Sequence, residues 1–331
     1  MKKNLPGICF FGCGDIASRH AKIIKGLDKN IPLYFASRDR TKSEDFSKNH
    51  GGSGSFGSYE EAAASGDYQI AFITTPHAYH STIGIMAAKE GKDLILEKPV
   101  TRNIKELKSM MKEVNRSGVR CTVAENYMYK PFLKKVHRYI EKGYIGKPLF
   151  IELNKTNRDT IEGWRTDPEL MGGGALLEGG CHWVNKLVSL AGSTPESVMA
   201  LTPEVEYETN VPFEDTIMVM VKMSNGTAAK LTHSWRIPNP LKGMAHSKIY
   251  GTEGVITFES NGLYTSLAGK KRKFSFTNFF DFLGFKAMHR AFIEDHVADR
   301  PWTPGMDRIE IELKLIEAAY QSLKTRKMEK I

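Results

Sequence analysis

A histidine and a glutamate four residues apart are the first candidates for chemistry. Glu178 precedes His182, and one continuous helix through both would place their Cβ atoms about 5–6 Å apart on one face. Histidine can accept an alcohol's proton near neutral pH, and the carboxylate could orient it or hold a substrate hydroxyl. Gly179 and Gly180 each disfavour a helix by roughly 1 kcal/mol relative to alanine, which indicates close approach of a cofactor or substrate. A core histidine near a helix start is the alternative interpretation.

A lysine next to a proline is the second candidate. Lys98 lies between Glu97 and Pro99, directly after the strand-like run 92–96. At the carboxyl end of a strand, its ammonium group could donate to a substrate hydroxyl and stabilise developing alkoxide charge. A surface lysine without this role is the alternative. The segment Thr74–His80 also follows a strand-like run, and ligands of parallel sheets bind at this edge.

A glycine-rich turn near the start of the chain indicates a cofactor. The apolar run 7–12 leads into Gly12-x-Gly14-x-x-Ala17 and then into a helical pattern, which is the order that a dinucleotide-binding turn requires. The helix N-terminus would offer unpaired N–H groups to the phosphates. A purely structural turn is the alternative. We expect cofactor contacts in the first domain from Gly12, Gly14, Asp15, Ile16, Ser37, Arg38, Thr75, Pro76, His80, Glu97 and Lys98.

The end of the second strand-like run indicates which coenzyme is preferred. Ser37 and Arg38 lie there, and a basic residue at this place accommodates the 2′-phosphate of NADP, whereas an acidic one holds the ribose of NAD. Arg40 is close by. Asp39 keeps NAD(H) open as a second choice, although it lies one or two positions late for the ribose role. The sequence therefore predicts a preference for NADP(H), and an ordinary surface arginine is the alternative role of Arg38.

Alternating strands and helices would position these residues. Strand-like runs cover 7–12, 32–37, 68–74, 92–96 and 119–124, and helical patterns cover 16–26, 41–49, 79–90 and 103–117. This alternation predicts a parallel sheet covered on both faces, an α/β Rossmann domain over residues 1–125. Residues 51–55 should form a loop before a short third strand, and Asn103 should cap a helix.

The pattern changes after residue 125. A helix over 131–142 and a strand over 149–157 precede three glycines, Gly172 to Gly174, which open one long helix through Leu190. From Thr216 the pattern alternates like antiparallel strands, and Asn225-Gly226 is a strong hairpin signal. A helix over 308–324 follows. These elements predict a second, α+β domain with an antiparallel sheet over residues 126–331.

Composition limits the classes of partner. The chain has 331 residues and a net charge of +9, which favours an anionic partner such as a phosphorylated cofactor, a nucleotide-linked or acidic substrate, or nucleic acid; an ordinary solvated basic surface is the alternative. Its basic residues are scattered except for 270–273, which resemble a charged hairpin edge without a nucleic-acid motif. We expect no metal site, nucleic acid or membrane partner, since no long apolar window occurs. No signal-peptide core is evident, and the four cysteines lack a Cys-x-x-Cys pair, so we expect reduced thiols and a cytoplasmic location.

Several motifs follow one another along nearly the whole chain. After the glycine turn come Thr-Pro at 75–76 with a histidine at 80, Glu-Lys-Pro at 97–99, Trp-Arg-x-Asp-Pro at 164–168, three glycines, the Glu178–His182 pair, Gly-Thr-Glu-Gly at 251–254 and the helical segment 317–322. This order resembles the glucose–fructose oxidoreductase / inositol dehydrogenase / MocA (Gfo/Idh/MocA) family. The resemblance implies a Rossmann domain, a larger open-faced and mostly antiparallel sheet that often builds an oligomer interface, and nicotinamide-dependent oxidation or reduction of a sugar, cyclitol or related alcohol.

The resemblance also implies roles for single residues. By position, Lys98 resembles the family's active-site lysine and His182 its proton-transfer histidine, while Glu178 stands where aspartate is usual and His77 where asparagine is common. A cis peptide bond between Lys98 and Pro99 is implied. The loop 124–127 adds Asn126 to the cofactor contacts. The residues implied on the substrate side are Lys98, Tyr127, Trp164, Arg165, Glu178 and His182; packing is the alternative role of Trp164.

The sequence thus predicts an oxidoreductase that moves a hydride between NADP(H) and a hydroxyl-bearing carbon of a sugar, cyclitol or nucleotide sugar. His182 would exchange the hydroxyl proton, Lys98 would hold the same oxygen, and Glu178 a neighbouring hydroxyl. Two alternatives stay open. One is a glycosidase that oxidises its substrate transiently, and the other is a non-catalytic ligand sensor, against which Lys98 and His182 argue. We expect a homodimer or homotetramer formed through the C-terminal sheet.

Overall fold

The protein is described by a computed structural model that covers residues 5–205, 211–239, 243–277 and 279–331. The chain divides into two compact units. The first contains Met1–Glu125 and Phe285–Ile309, and the second contains Asn126–Gly284 and Glu310–Ile331. The segment 285–309 follows the second unit along the chain but belongs to the first.

Within the described residues, the first unit contains a six-stranded parallel sheet. Its strands are β1 (Ile8–Phe11), β2 (Leu33–Ala36), β3 (Gly54–Phe56), β4 (Ile70–Ile73), β5 (Asp93–Leu96) and β6 (Cys121–Val123). Their order across the sheet is β3-β2-β1-β4-β5-β6. The direction of the order reverses between β1 and β4, and ligands of open α/β sheets bind at such a point, beyond the carboxyl ends of the strands.

Helices connect these strands. They are α1 (Asp15–Leu27), α2 (Arg40–Asn49), α3 (Tyr59–Ala64), α4 (His80–Lys89) and α5 (Ile104–Ser117), and α10 (Phe285–Val297) returns to this unit from late in the chain. The predicted cap of α5 is confirmed, because the Asn103 side chain accepts a hydrogen bond from the Glu106 N–H at 2.9 Å. Strands β1 and β4 are buried along their whole length, as expected for a parallel sheet covered on both faces.

The second unit contains a nine-stranded sheet within the described residues. Its strands are β7 (Pro148–Thr156), β8 (Pro195–Leu201), β9 (Thr216–Met223), β10 (Ala228–Ser234), β11 (His246–Gly251), β12 (Gly254–Glu259), β13 (Tyr264–Ala268), β14 (Arg272–Phe276) and β15 (Glu329–Lys330). The order is β14-β13-β12-β11-β7-β10-β9-β8-β15. The pairs are antiparallel except β7 with β10. The predicted Asn225-Gly226 hairpin joins β9 to β10, and the basic run leads into the edge strand β14.

The helices of this unit show one departure from expectation. Those whose bounds fall within the described residues are α6 (Pro131–Glu141), α7 (Pro168–Met171), α8 (Ala175–Glu178), α9 (Cys181–Ala191) and α11 (Met306–Thr325), whose first turn lies in the first unit. The single long helix predicted through Leu190 was wrong, because α8 ends at Glu178 and α9 begins at Cys181. Glu178 and His182 therefore do not share one face of a continuous helix.

Two glycines separate α8 from α9; close packing of protein atoms requires glycine at Gly180 and leaves little space beside Gly179. A Cβ at Gly180 would lie 2.6 Å from the Leu176 Cα atom, far inside van der Waals contact. A Cβ at Gly179 would lie 3.2–3.3 Å from the rings of His233 and Trp235. The close approach expected from a cofactor or substrate is thus made by neighbouring parts of the chain itself.

Candidate functional site

The glycine turn has the geometry that a dinucleotide requires. Gly12 has φ +114°, and a Cβ there would lie 3.0 Å from the Thr74 carbonyl oxygen, so glycine is needed. Gly14 precedes α1 without a capping side chain, and, apart from Gly14 itself and its two chain neighbours, no atom of the described residues lies within 4 Å of the place where its Cβ would be. Asp15 and Ile16 open the helix. The first turn therefore presents unpaired N–H groups to open space, which suits a pyrophosphate.

The loop after β4 adds a polar atom at the same edge of the sheet. The Thr75 hydroxyl is buried and has no hydrogen-bond partner among the described residues, so a ligand could supply one. Pro76 follows it. His80 lies fully buried, with Nε2 2.9 Å from the Thr75 carbonyl oxygen and Nδ1 3.0 Å from that of Pro99. Burial lowers the pKa of His80, and its contacts connect two loops of the chain.

The acidic residue after β2, Asp39, is engaged by the helix that follows it. The Asp39 carboxylate caps α2 by accepting a hydrogen bond from the Lys42 N–H at 3.2 Å. Arg38 is exposed, and its guanidinium carbon lies 5.5 Å from the centre of the Tyr79 ring. Ser37 accepts a hydrogen bond from the Asp39 N–H at 3.2 Å. The carboxylate that could repel a 2′-phosphate is therefore engaged by a helix.

The segment around Lys98 is anchored through Glu97. The predicted cis peptide bond between Lys98 and Pro99 is confirmed. One oxygen of the buried Glu97 carboxylate lies 2.6 Å from His20 Nε2, and the other accepts a hydrogen bond from the Lys98 N–H at 3.0 Å. Burial opposes ionisation of Glu97, but the hydrogen bond from His20 and the charges of His20 and Lys98 outweigh it and lower its pKa. Glu97 thus carries a negative charge that holds the backbone of Lys98.

In the second unit, His182 lies in the first turn of α9 and stacks on Tyr127. The two rings are parallel within 6°, and their centres are 4.2 Å apart. Lys130 Nζ lies 3.8 Å from the centre of the Tyr127 ring. Such a stack limits rotation of the imidazole. Asn126, an expected cofactor contact, donates from its side-chain amide to the Leu283 carbonyl oxygen at 2.7 Å.

Glu178 is paired with Arg165. The guanidinium Nη2 lies 3.1 Å from Glu178 Oε2, and the guanidinium carbon lies 5.8 Å from the centre of the Trp235 ring. Arg165 Nε is buried without a hydrogen-bond partner among the described residues. Trp164 packs against an apolar cluster that includes Trp235 and Met171, so part of its role is packing. The structure thus brings three expected substrate-side residues, Trp164, Arg165 and Glu178, to one place.

Sequence reasoning missed the residues that stabilise the start of α8. The Glu214 carbonyl accepts from the Ala175 N–H at 2.8 Å, and its carboxylate accepts from the Leu176 N–H at 3.0 Å. The Tyr320 hydroxyl donates to the same carboxylate at 2.9 Å and accepts from the N–H groups of Gly174 and Leu177 at 3.1 Å. Burial raises the pKa of Glu214 to about 7, and the charge of Asp215 adds to this. No local sequence signal marks this pair.

The expected site residues form two sets. Gly12 through Lys98 lie in the first unit, and Asn126 through His182 lie in the second. Among the described residues, no three histidine, cysteine or acidic side chains are placed to hold a metal ion. In the same part of the chain, no helix combines the length and apolarity needed to cross a bilayer. All four cysteines are free.

Comparisons with known proteins agree with these observations. Residues 7–125 match an oxidoreductase family with an NAD-binding Rossmann fold, and residues 133–257 match the GFO/IDH/MocA C-terminal domain. Trans-1,2-dihydrobenzene-1,2-diol dehydrogenase of Xenopus tropicalis is 27% identical over 243 residues, 72% of this chain and 71% of that protein. D-xylose 1-dehydrogenase [NADP(+)] of Haloarcula marismortui is 29% identical over 162 residues, 47% of this chain and 45% of that protein.

Solved structures share the fold. Levoglucosan dehydrogenase in complex with NADH has a TM-score of 0.88 at 19% identity, and the match covers 98% of this chain and 99% of that one. Aldose–aldose oxidoreductase from Caulobacter crescentus, complexed with glycerol, has a TM-score of 0.88 at 18% identity and covers 99% of this chain and 100% of that one. At this level of identity the likeness concerns the architecture of the two units.

Proposed function

Since the chain belongs to the Gfo/Idh/MocA family of oxidoreductases with an NAD-binding Rossmann domain, we propose that it moves a hydride between NADP(H) and a hydroxyl-bearing carbon of a sugar, cyclitol or nucleotide sugar. The observation that carries the proposal is the pair Lys98 and His182, an ammonium donor and an imidazole, at the family's motif positions of a chain with a dinucleotide turn. The free cysteines favour a reducing compartment, and we place the protein in the cytoplasm.

The cofactor fits the residues of the first unit. The open space at Gly14, the uncapped start of α1 and the buried Thr75 hydroxyl are suited to its phosphates and polar groups. When bound, the nicotinamide supplies or accepts the hydride. Ser37 and Arg38 would hold the adenosine ribose end with its 2′-phosphate.

The protein's own residues would handle the proton and the oxygen. His182 takes the hydroxyl proton in oxidation and returns it in reduction, and the stacked Tyr127 fixes the plane of its ring. Lys98 donates to the reacting oxygen and stabilises alkoxide charge. Glu178, held by Arg165, accepts a hydrogen bond from a neighbouring hydroxyl. Substrate orientation and charge stabilisation are thus divided among four side chains.

A panel of sugars, cyclitols and nucleotide sugars, followed by absorbance of the reduced cofactor, tests the reaction. Lys98→Ala and His182→Ala should each lose most turnover while cofactor affinity stays within about threefold, because their interactions act on the transition state. Lys89→Ala, at the exposed end of α4, is the matched control. Glycoside cleavage without a net absorbance change would instead establish transient oxidation. Tight binding of cofactor without any turnover would establish a sensor.

Coenzyme choice is tested by titration with NADPH and NADH. A charge-assisted hydrogen bond contributes about 1.5–3 kcal/mol, so NADPH should bind at least about tenfold more tightly. Arg38→Ala should remove most of that difference. Lys48→Ala is the matched control, because Lys48 is an exposed cation in the last turn of α2. Equal affinities of the unmodified protein for the two cofactors would contradict the assignment.

We also propose a homodimer or homotetramer formed through the second unit's sheet. Leu201 and Met218 are paired across β8 and β9, and both are exposed, as is Met220 two residues along β9. Sedimentation velocity should show an oligomer that Met220→Glu dissociates. Val205→Glu, at an exposed residue outside the sheet strands, should leave the oligomer intact. A monomeric unmodified protein would refute this assembly.

A further inference from the structure

A buried chain of hydrogen bonds leads from helix α10 to the backbone of Lys98. His289 Nε2 lies 2.7 Å from His20 Nδ1, and His20 Nε2 lies 2.6 Å from Glu97 Oε1. The other Glu97 oxygen accepts from the Lys98 N–H at 3.0 Å. His20 is 0% and His289 1% exposed, so neither ring exchanges its partners with solvent. All these residues belong to the first unit.

The charges in this chain determine where the protons lie. Glu97 is ionised, and a carboxylate only accepts hydrogen bonds, so His20 Nε2 must carry a proton. Burial, and the charge of His20, lower the pKa of His289 well below the usual range. Neutral His289 therefore has one N–H and one lone pair on its ring nitrogens. Its Nε2 can either donate a hydrogen bond to His20 Nδ1 or accept one from it. Both arrangements leave the proton on His20 Nε2.

Aromatic rings surround the two histidines. The centre of the His20 ring lies 4.7 Å from that of Phe72 and 5.3 Å from that of Phe285. The His289 ring lies at 5.9 Å from Phe72 and 6.4 Å from Phe292. Such neighbours do not replace a hydrogen bond to His20 Nδ1. Loss of His289 would leave that buried nitrogen unsatisfied, so the His20 ring would lose one of the two hydrogen bonds that fix its orientation.

We propose that His289 is a positioning residue for Lys98. By bonding to Nδ1 of His20, it fixes the orientation of the imidazole, so that Nε2–H holds the Glu97 carboxylate in the place where it binds the Lys98 N–H. The ammonium group at the end of the same residue is thereby presented in one orientation. This inference rests on the proposed function of Lys98 in hydride transfer.

Two substitutions at His289 separate this role from packing. His289→Phe should lower kcat at least tenfold while the KM for substrate and the affinity for NADPH change less than about threefold. His289→Gln retains an amide that can bond to His20 Nδ1, and it should recover kcat to within about threefold of the unmodified protein. His296→Gln is the matched control on the same helix, since His296 contacts Asp93 and Arg120. Equal kcat in His289→Phe and the unmodified protein would overturn the proposal.

A double-mutant cycle tests whether the effect passes through Lys98. In a Lys98→Ala background, measured by single turnover, His289→Phe should lower the rate less than twofold further. A full tenfold loss in that background would show that His289 acts elsewhere and would overturn the assignment. A fall in rate that His289→Phe causes only when Lys98 is present would support the assignment.

A spectroscopic measurement requires no substrate. In protein labelled with [15N]histidine, His20 should show a protonated Nε2, and His289→Phe should shift the Nδ1 resonance, which loses its hydrogen bond, whereas His296→Gln should not. An unprotonated Nε2 in the unmodified protein would overturn the hydrogen-bond chain. If no substrate is turned over by the unmodified protein, the proposed function fails, while these spectra still decide the arrangement of the protons.

Discussion

Two largely buried carboxylates, those of Glu97 and Glu214, stabilise the two candidate catalytic segments. Their pKa values are shifted in opposite directions. Glu97 holds the Lys98 backbone in the first unit, and its pKa is lowered. Glu214 holds the start of α8, the helix that ends at Glu178, in the second unit, and its pKa is raised to about 7. Both accept at least two hydrogen bonds, so the number of donors does not explain the difference.

The charge of the neighbours explains it. Glu97 faces His20 and has the ammonium charge of Lys98 nearby. Glu214 receives its bonds from a backbone N–H and the Tyr320 hydroxyl, which are neutral, and the charge of Asp215 is close. Neutral donors only partly replace water around a carboxylate, whereas a nearby cation favours ionisation directly. The Lys98 segment is therefore held by a charged carboxylate, Glu97. The start of α8 is held by a hydrogen-bond network whose carboxylate, Glu214, binds a proton more readily.

The largest effect should come from Glu97→Gln. The amide keeps the shape but has one acceptor oxygen, so either His20 or the Lys98 N–H loses its partner and the charge is gone. We expect a loss of about 3 kcal/mol in the free energy of unfolding, in the range for breaking one side of a buried pair, and a fall in kcat of at least tenfold. Urea unfolding and steady-state kinetics measure both. Glu90→Gln, at an exposed glutamate, is the control. A loss under 1 kcal/mol in Glu97→Gln would contradict the charged state of Glu97.

The next effect is the pH dependence caused by Glu214. Its folded pKa of about 7 lies above the unfolded value of 4.5, so the folded protein binds the proton more tightly. The contribution to stability is therefore present below pH 4.5 and is lost as pH rises to 7, on the order of 2–3 kcal/mol. Glu214→Gln should remove this slope, so that its stability relative to the unmodified protein increases from pH 5 to pH 8. Parallel melting-temperature curves for the two proteins would contradict it.

The smallest effect should come from Tyr320→Phe. This change removes the hydroxyl that accepts from the N–H groups of Gly174 and Leu177 and donates to Glu214. We expect a loss of about 1–2 kcal/mol in unfolding free energy, because partly buried N–H groups lose their acceptor. Tyr250→Phe, on strand β11, is the control. A larger loss than that of Glu97→Gln would reverse the ranking of the two segments.

Most strands and helices up to residue 125 could be predicted from the sequence because their signals are local, whereas the membership of residues 285–309 in the first unit could not. Apolar runs followed by glycine or helix-capping residues place the strands and helices, and the cap at Asn103 was found in this way. Lys98 could be located because it follows a strand directly. Each of these inferences depends on residues within one turn or one strand of each other, where spacing alone determines the geometry.

The rest depends on partners far apart along the chain. His20 and His289 are separated by 269 positions and Glu214 and Tyr320 by 106, so periodicity contains no information about either pair. At the break between α8 and α9, the space beside Gly179 is likewise limited by His233 and Trp235, which lie more than 50 positions away along the chain. The sequence could not decide whether the Asp39 side chain caps α2 or turns towards a bound ribose, because an aspartate suits both roles.

The return of residues 285–309 to the first unit has a consequence for biosynthesis. Helix α10 supplies His289 to His20, and Thr122 donates to the Pro304 carbonyl oxygen at 2.8 Å. Residues 126–284 must be translated between the two parts of this unit. At about 5–20 residues per second, the ribosome needs on the order of ten to thirty seconds for that stretch. During this interval the nascent unit lacks the helix that packs on α1, so apolar surface that α10 covers in the folded protein is open to aggregation or to chaperone binding.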